Sequence, residues 1–190
     1  FSLVNTGSAT ITVSNDAEKD FLSVFKRQQP VKINAVSVVP SNAAYFTYFG
    51  ISDPKAYFQS YHDYLKSNFP DTTLKKNQEE RLAEQQSFFL SWFNNEAITW
   101  WQEPMAADEN FVQYAAFSFR DSTQVIKGFE NLQQWYLVNN GFKADSLSEY
   151  YRGFRLSLLP DENLLSNVWG SSFPSSKNYW FTIAGESVIF

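Results

Sequence analysis

The stretch "YFTYFGISDPKAYFQSYHDYL", Tyr45 to Leu65, decides how the rest of the chain is read. With the residues before it, "NAAYFTYFGI" is rich in aromatic residues that fit a pleated surface, and it reads as a strand. The strand stops at Asp53-Pro54. Aspartate there can accept from the free amides of a helix start, and proline is tolerated in the first helical turn. Tyr57, Phe58, Tyr61 and Leu65 then recur at helical spacing.

This stretch has an echo in "VQYAAFSFRDSTQVIKGFENL", Val112 to Leu132. Laying Asp53 over Asp121 puts Phe49 on Phe117, Ile51 on Phe119, Tyr57 on Val125, Phe58 on Ile126 and Tyr61 on Phe129. Apolar type is kept on both strand and helix. "FRLSLLPDENLLSNVW" is a weaker third copy, and "SATITVSNDAEKDFLSVF" a fourth. Internal repetition of a strand–cap–helix unit is the strongest signal in the chain.

Working outward, "SLVNTGSATITV" reads as a hairpin turning at Thr6-Gly7-Ser8. Asn15, three residues before Glu18, opens a helix whose apolar face is Phe21, Leu22 and Phe25. "VKINAVSVVP" alternates Val31, Ile33 and Ala35 against Lys32 and Asn34, as a half-buried strand does. "LKKNQEERLAEQQSFFLSWFNNE" is the longest helical pattern, and "AITWWQE" a strand with Trp100 and Trp101 on opposite faces. A helix follows Asp121 and stops near Asn139-Asn140-Gly141. "FRLSLLP" alternates Phe154, Leu156 and Leu158, and "DENLLSNVWG" is a short helix. "YWFTIAGESVIF" is a hairpin around Gly185-Glu186, with glycine first as a type II′ turn prefers.

Hairpins and consecutive strands interrupt the units, and no glycine-rich phosphate loop follows any strand. The expected fold is therefore α+β, an antiparallel or mixed sheet with helices packed mainly on one face. At 190 residues the chain is long enough to bury a full core as a single domain, residues 1–190. The final hairpin has no helix after it, while its apolar residues Phe181, Ile183, Val188 and Phe190 need covering. The repeat pattern then makes these residues a fragment of a longer repeat-containing protein, with an exposed sheet edge or apolar patch near Phe190.

Composition removes several functions. Net charge is −5 and no basic stripe alternates with the aromatics, so the electrostatic footprint of nucleic-acid binding is missing. No apolar run approaches the roughly 20 residues that span a bilayer, so no membrane span is expected within these residues, while an upstream anchor stays open. Cysteine is absent and His62 is the only histidine, so thiolate chemistry and transition-metal sites are not expected, and neither is a cofactor. His62 lies one position past an apolar stripe, with no nucleophile elbow anywhere in the chain, and is read as a surface or boundary residue.

The order of hairpin, "SND" cap and helix, followed by Val39-Pro40-Ser41-Asn42-Ala43 through Tyr61 and later Tyr151-Arg152-Gly153-Phe154 through Gly170, resembles an exported-protein family of Bacteroidetes, a domain of unknown function. The resemblance implies an extracytoplasmic location, in the periplasm or at the outer membrane, and a repeated α+β architecture. It brings no catalytic residues with it.

Aromatic residues make up 18% of the chain, enough for stacking surfaces as well as for a core. Trp101 stands on a strand; Trp135 and Tyr136 in "QQWYLVNNGF", and Tyr150 and Tyr151 in "SEYYRGF", flank a polar loop. Flat apolar faces with amides around them are what a glycan or peptide site needs, so these five are the candidate ligand-binding residues. The expected function is a non-catalytic binding or scaffold module with a glycan or protein partner. The alternative is a carbohydrate-active hydrolase using Glu96 and Glu103, the acids flanking "AITWWQ".

Overall fold

The computed structural model describes residues 21–68, 76–104, 110–140, 148–159, 161, 163–177 and 179–190. The hairpin at Thr6-Gly7-Ser8 and the cap at Asn15 lie outside them. Strand β1 (Ala43–Gly50) leads into α1 (Pro54–Asn68), and α2 (Lys76–Trp92) passes directly into β2 (Phe93–Gln102). Strand β3 (Val112–Phe119) precedes α3 (Ser122–Asn140), and β4 (Ser148–Tyr151), β5 (Phe154–Leu159), α4 (Leu164–Trp169), β6 (Tyr179–Ala184) and β7 (Ser187–Ile189) follow. The strands form one sheet in the order β1-β2-β3-β7-β6-β5-β4, antiparallel at every pairing. The fold is α+β.

Strand alternation sorts the side chains onto two faces. Ala97, Ala115, Phe117, Val188, Phe181 and Leu159 point to the side that carries the α-helices. There they meet Tyr57 and Phe58 of α1, Phe88, Phe89 and Trp92 of α2, Phe129 of α3, and Leu165, Val168 and Trp169 of α4. Ile98, Trp100 and Ala116 point the other way, where a 3-10 turn, Ala35–Val38, covers them. The high aromatic content is thus used first as core.

Both aspartates do what the sequence reading assigns them. The Ala56 amide donates to the Asp53 carboxylate at 3.0 Å, and the Thr123 amide donates to that of Asp121 at 2.8 Å. The two units nevertheless sit differently. Strand β1 is an edge and β3 is interior; Phe58 is buried whereas its counterpart Ile126 is 46% exposed. The third unit departs further: Asp161, four residues before Leu165 as Asp121 is before Val125, is buried and accepts from Arg81 and Gln85, and Asn163, just ahead of α4, makes no side-chain cap bond.

Several expectations need correction. "VKINAVSVVP" is not a strand: the carboxylate of Glu96 accepts the Asn34 and Ala35 amides at 2.6 and 3.2 Å, which turns the chain into the 3-10 segment and leaves Ile33 exposed. Phe21–Phe25 forms a 3-10 turn in which Val24 is the buried residue and Leu22 is exposed. "FNNE" belongs to β2 rather than to the helix before it. On β5 the buried residues are Ser157 and Leu159, while Phe154 is exposed and Leu156 and Leu158 are half-buried.

The C-terminal hairpin also departs from expectation. Its turn is as read, with φ +57° at Gly185 and a negative φ at Glu186. Strand β7, however, is no edge: it lies between β3 and β6, and Phe190 exchanges both backbone bonds with Ala115. Its apolar residues are already covered, because Phe129 of α3 stacks on Phe181 and contacts Phe190. Phe181, Val188 and Phe190 are buried and form no exposed patch.

Candidate ligand groove

Asp121 starts α3, and the stripe Val125, Phe129 and Leu132 turns it toward the core. Gly128 sets how closely α3 approaches α2, since a Cβ at that position would lie 3.3 Å from the Phe88 ring. On its other flank α3 reaches the sheet through Phe129, whose ring stacks on Phe181 at 3.8 Å between centroids and 21° between planes. The Gln133 amide donates to the Leu158 carbonyl at 2.9 Å and ties α3 to β5.

Between these two ties a groove of about 270 Å³ remains open. Ile126, Glu130 and Gln133 form its helical wall, Gly153, Phe154, Arg155 and Ser157 its strand wall, and Phe129, Phe181 and Thr182 line it between them. The side chains of Glu130 and Arg155 make no hydrogen bond or ion pair with any described residue, so opposite charges stand unpaired on opposite walls. A mostly apolar lining with a few polar groups is what small-ligand sites share.

The five residues singled out from sequence do not form one site. Tyr150 is directly opposite Arg155 in the β4–β5 register and is 78% exposed, which places it beside the groove's strand wall. Tyr151 is opposite Phe154 on the other face, with the Arg152 guanidinium 5.2 Å from its ring centroid. Trp135 and Tyr136 belong to α3, the groove's other wall, with side chains outside the described set. Trp101 is elsewhere. Five strand spacings separate β2 from β4, roughly 24 Å. It stacks on Tyr45 at 6.4 Å and borders a second cleft of about 460 Å³ at the sheet end, with Tyr114, Tyr179, Trp180 and Phe190.

Sequence reasoning missed Phe129, Phe181, Glu130 and Arg155. The available signal was on α3, where Ile126, Glu130 and Gln133 share the spacing of a helical face one residue round from the buried stripe.

The acid pair of the alternative reading is apart in space and differently employed. Glu96 is buried and accepts, besides the two backbone amides, the Tyr48 hydroxyl at 3.1 Å. Burial first, and then the Glu96 carboxylate, hold the Tyr48 phenol well above its usual range. Glu103 lies just past the other end of β2, roughly 20 Å along the strand, whereas glycosidase carboxyl pairs stand about 5–10 Å apart. His62 is half-buried on α1. No cluster of three or more metal-ligating side chains occurs among the described residues, and no described helix is long and apolar enough to cross a membrane.

Comparison with protein-family models, with curated proteins and with solved structures found no match to this chain.

Proposed function

We propose that this chain is a non-catalytic binding module whose ligand seats in the groove between α3 and the β5–β6 pair. The observation that carries the reading is the Phe129–Phe181 stack, an apolar base between two walls that each hold a charge unpaired among the described residues. The resemblance to exported proteins supports an extracytoplasmic setting and a repeated α+β architecture. A glycan or a peptide could enter such a groove, since both offer apolar faces edged with hydrogen-bonding groups.

Neutral aromatic probes test the site without presuming the natural ligand. Titration with indole and with p-cresol, followed by backbone amide shifts, is expected to perturb Ile126 to Gln133, Arg155 to Ser157 and Phe181 to Ile183. Absence of any cluster of shifts there removes the reading.

A second reading rests on the sheet-end cleft, where Trp101, Tyr114 and Trp180 stand with Gln113, Ser175 and Ser176 and, among the described residues, no charged side chain. Shifts centred on these residues with the same probes would move the binding site to that cleft. The hydrolase alternative receives no support from the Glu96 and Glu103 geometry.

A further inference from the structure

The groove beside α3 differs from a plain apolar slot in one respect, the opposite charges that its two walls carry unpaired among the described residues. Glu130 is on the helical wall and Arg155 on the strand wall, and neither has a partner among the described residues. The Phe129–Phe181 stack lies between them. A volume of about 270 Å³ is at the small end for ligand sites, which commonly run from about 300 to 1,000 Å³, so the occupant is of the order of one or two amino-acid residues.

We propose that the groove takes a zwitterion with an apolar body, an apolar amino acid or a very short apolar peptide. Its ammonium would face Glu130, its carboxylate Arg155, and its side chain the Phe129–Phe181 stack. The planar fork of a guanidinium matches a carboxylate with two parallel bonds, and a carboxylate accepts well from an ammonium. A neutral glycan satisfies neither charge. An anionic or a cationic ligand satisfies only one and leaves a like charge facing it. This assignment rests on the groove being the binding site.

The test is a set of affinities measured from amide shifts of Phe129, Ser157 and Thr182. The ligands are L-phenylalanine, N-acetyl-L-phenylalanine, L-phenylalaninamide, the dipeptide Leu-Phe and indole. Loss of one charge-assisted contact corresponds to about tenfold in affinity, so each singly blocked form should bind about tenfold more weakly than L-phenylalanine. The penalty for N-acetylation should vanish in Glu130→Gln, and that for amidation in Arg155→Gln, as coupled pairs require. Both side chains are exposed, so these variants keep the fold. If the dipeptide shows the same coupling and binds more tightly, the assignment holds and a peptide is the source; if the free amino acid does, the assignment holds for amino acids. Equal binding of blocked and unblocked forms, with indole still seated in the groove, overturns the zwitterion and leaves the binding site intact. Failure of indole itself overturns both.

Discussion

Tyr57 of α1 donates its hydroxyl to the backbone carbonyl of Trp169 at the end of α4, at 3.2 Å, and the two rings stack with centroids 5.6 Å apart. The contact joins residues far apart in the chain at the point where the Trp169 ring also meets Phe89, Phe93 and Phe117. Removing only the hydroxyl, in Tyr57→Phe, leaves a buried carbonyl without that donor and should destabilise the fold by about 1–2 kcal/mol. Trp169→Ala also opens a cavity and should cost about 3–5 kcal/mol. Denaturant unfolding of the two variants checks the order. A larger loss for Tyr57→Phe would mean the aromatic cluster is not centred on Trp169.

Alkaline pH probes the same cluster. Burial, with Tyr61 adding to it, pushes the Tyr57 phenol well above its usual value, and burial likewise raises Tyr61 and Tyr179. A group whose folded pKa lies above its unfolded pKa contributes stability that is whole below the unfolded value, about 10 for tyrosine, and is lost as pH rises through the folded value. Stability should therefore decline above about pH 10, and these tyrosines should ionise together with unfolding. Following tyrosinate absorbance beside circular dichroism tests this. Full ionisation of all tyrosines while the dichroism is unchanged would contradict the burial described.

Asp53→Ala and Asp121→Ala should each cost about 1 kcal/mol, the usual loss of a helix N-cap, and the double variant should show the sum within a few tenths. The two caps serve different helices, so strong coupling between them would be unexpected.

The two caps and the strands before them were legible because each signal is local: an aromatic run, an aspartate, an apolar stripe. That the α-helices share one face was legible for a similar reason, since hairpins and consecutive strands rule out a doubly wound sheet. What escaped is what the chain brings together across the sheet. Glu96 reads in sequence as a strand-end charge, yet it captures the Asn34 and Ala35 amides and so converts an alternating pattern into a 3-10 turn. The groove was illegible in the same way, because Phe129 and Phe181 become neighbours only through the β7–β6 placement at the sheet centre. Five aromatics chosen for their local setting were consequently divided between opposite ends of the sheet.

Glu96→Ala tests that capture. It strands the Tyr48 hydroxyl and two backbone amides, one of them the buried Ala35, and should destabilise the fold by about 2–3 kcal/mol. Glu96→Gln keeps an acceptor and should lose less. Glu103→Gln, at an exposed position, should stay within about 0.5 kcal/mol of the parent. Equal effects of the Glu96 and Glu103 substitutions on stability would argue against the structural role given to Glu96.

The measurement that bears most directly on the account is the indole titration followed by backbone amide shifts. The account predicts saturable perturbations confined to the middle of α3 and the facing parts of β5 and β6, abolished when Phe129 and Phe181 are both reduced to leucine while the fold is retained. Saturable shifts centred on Trp101, Tyr114 and Trp180, or none in either cleft, would contradict it.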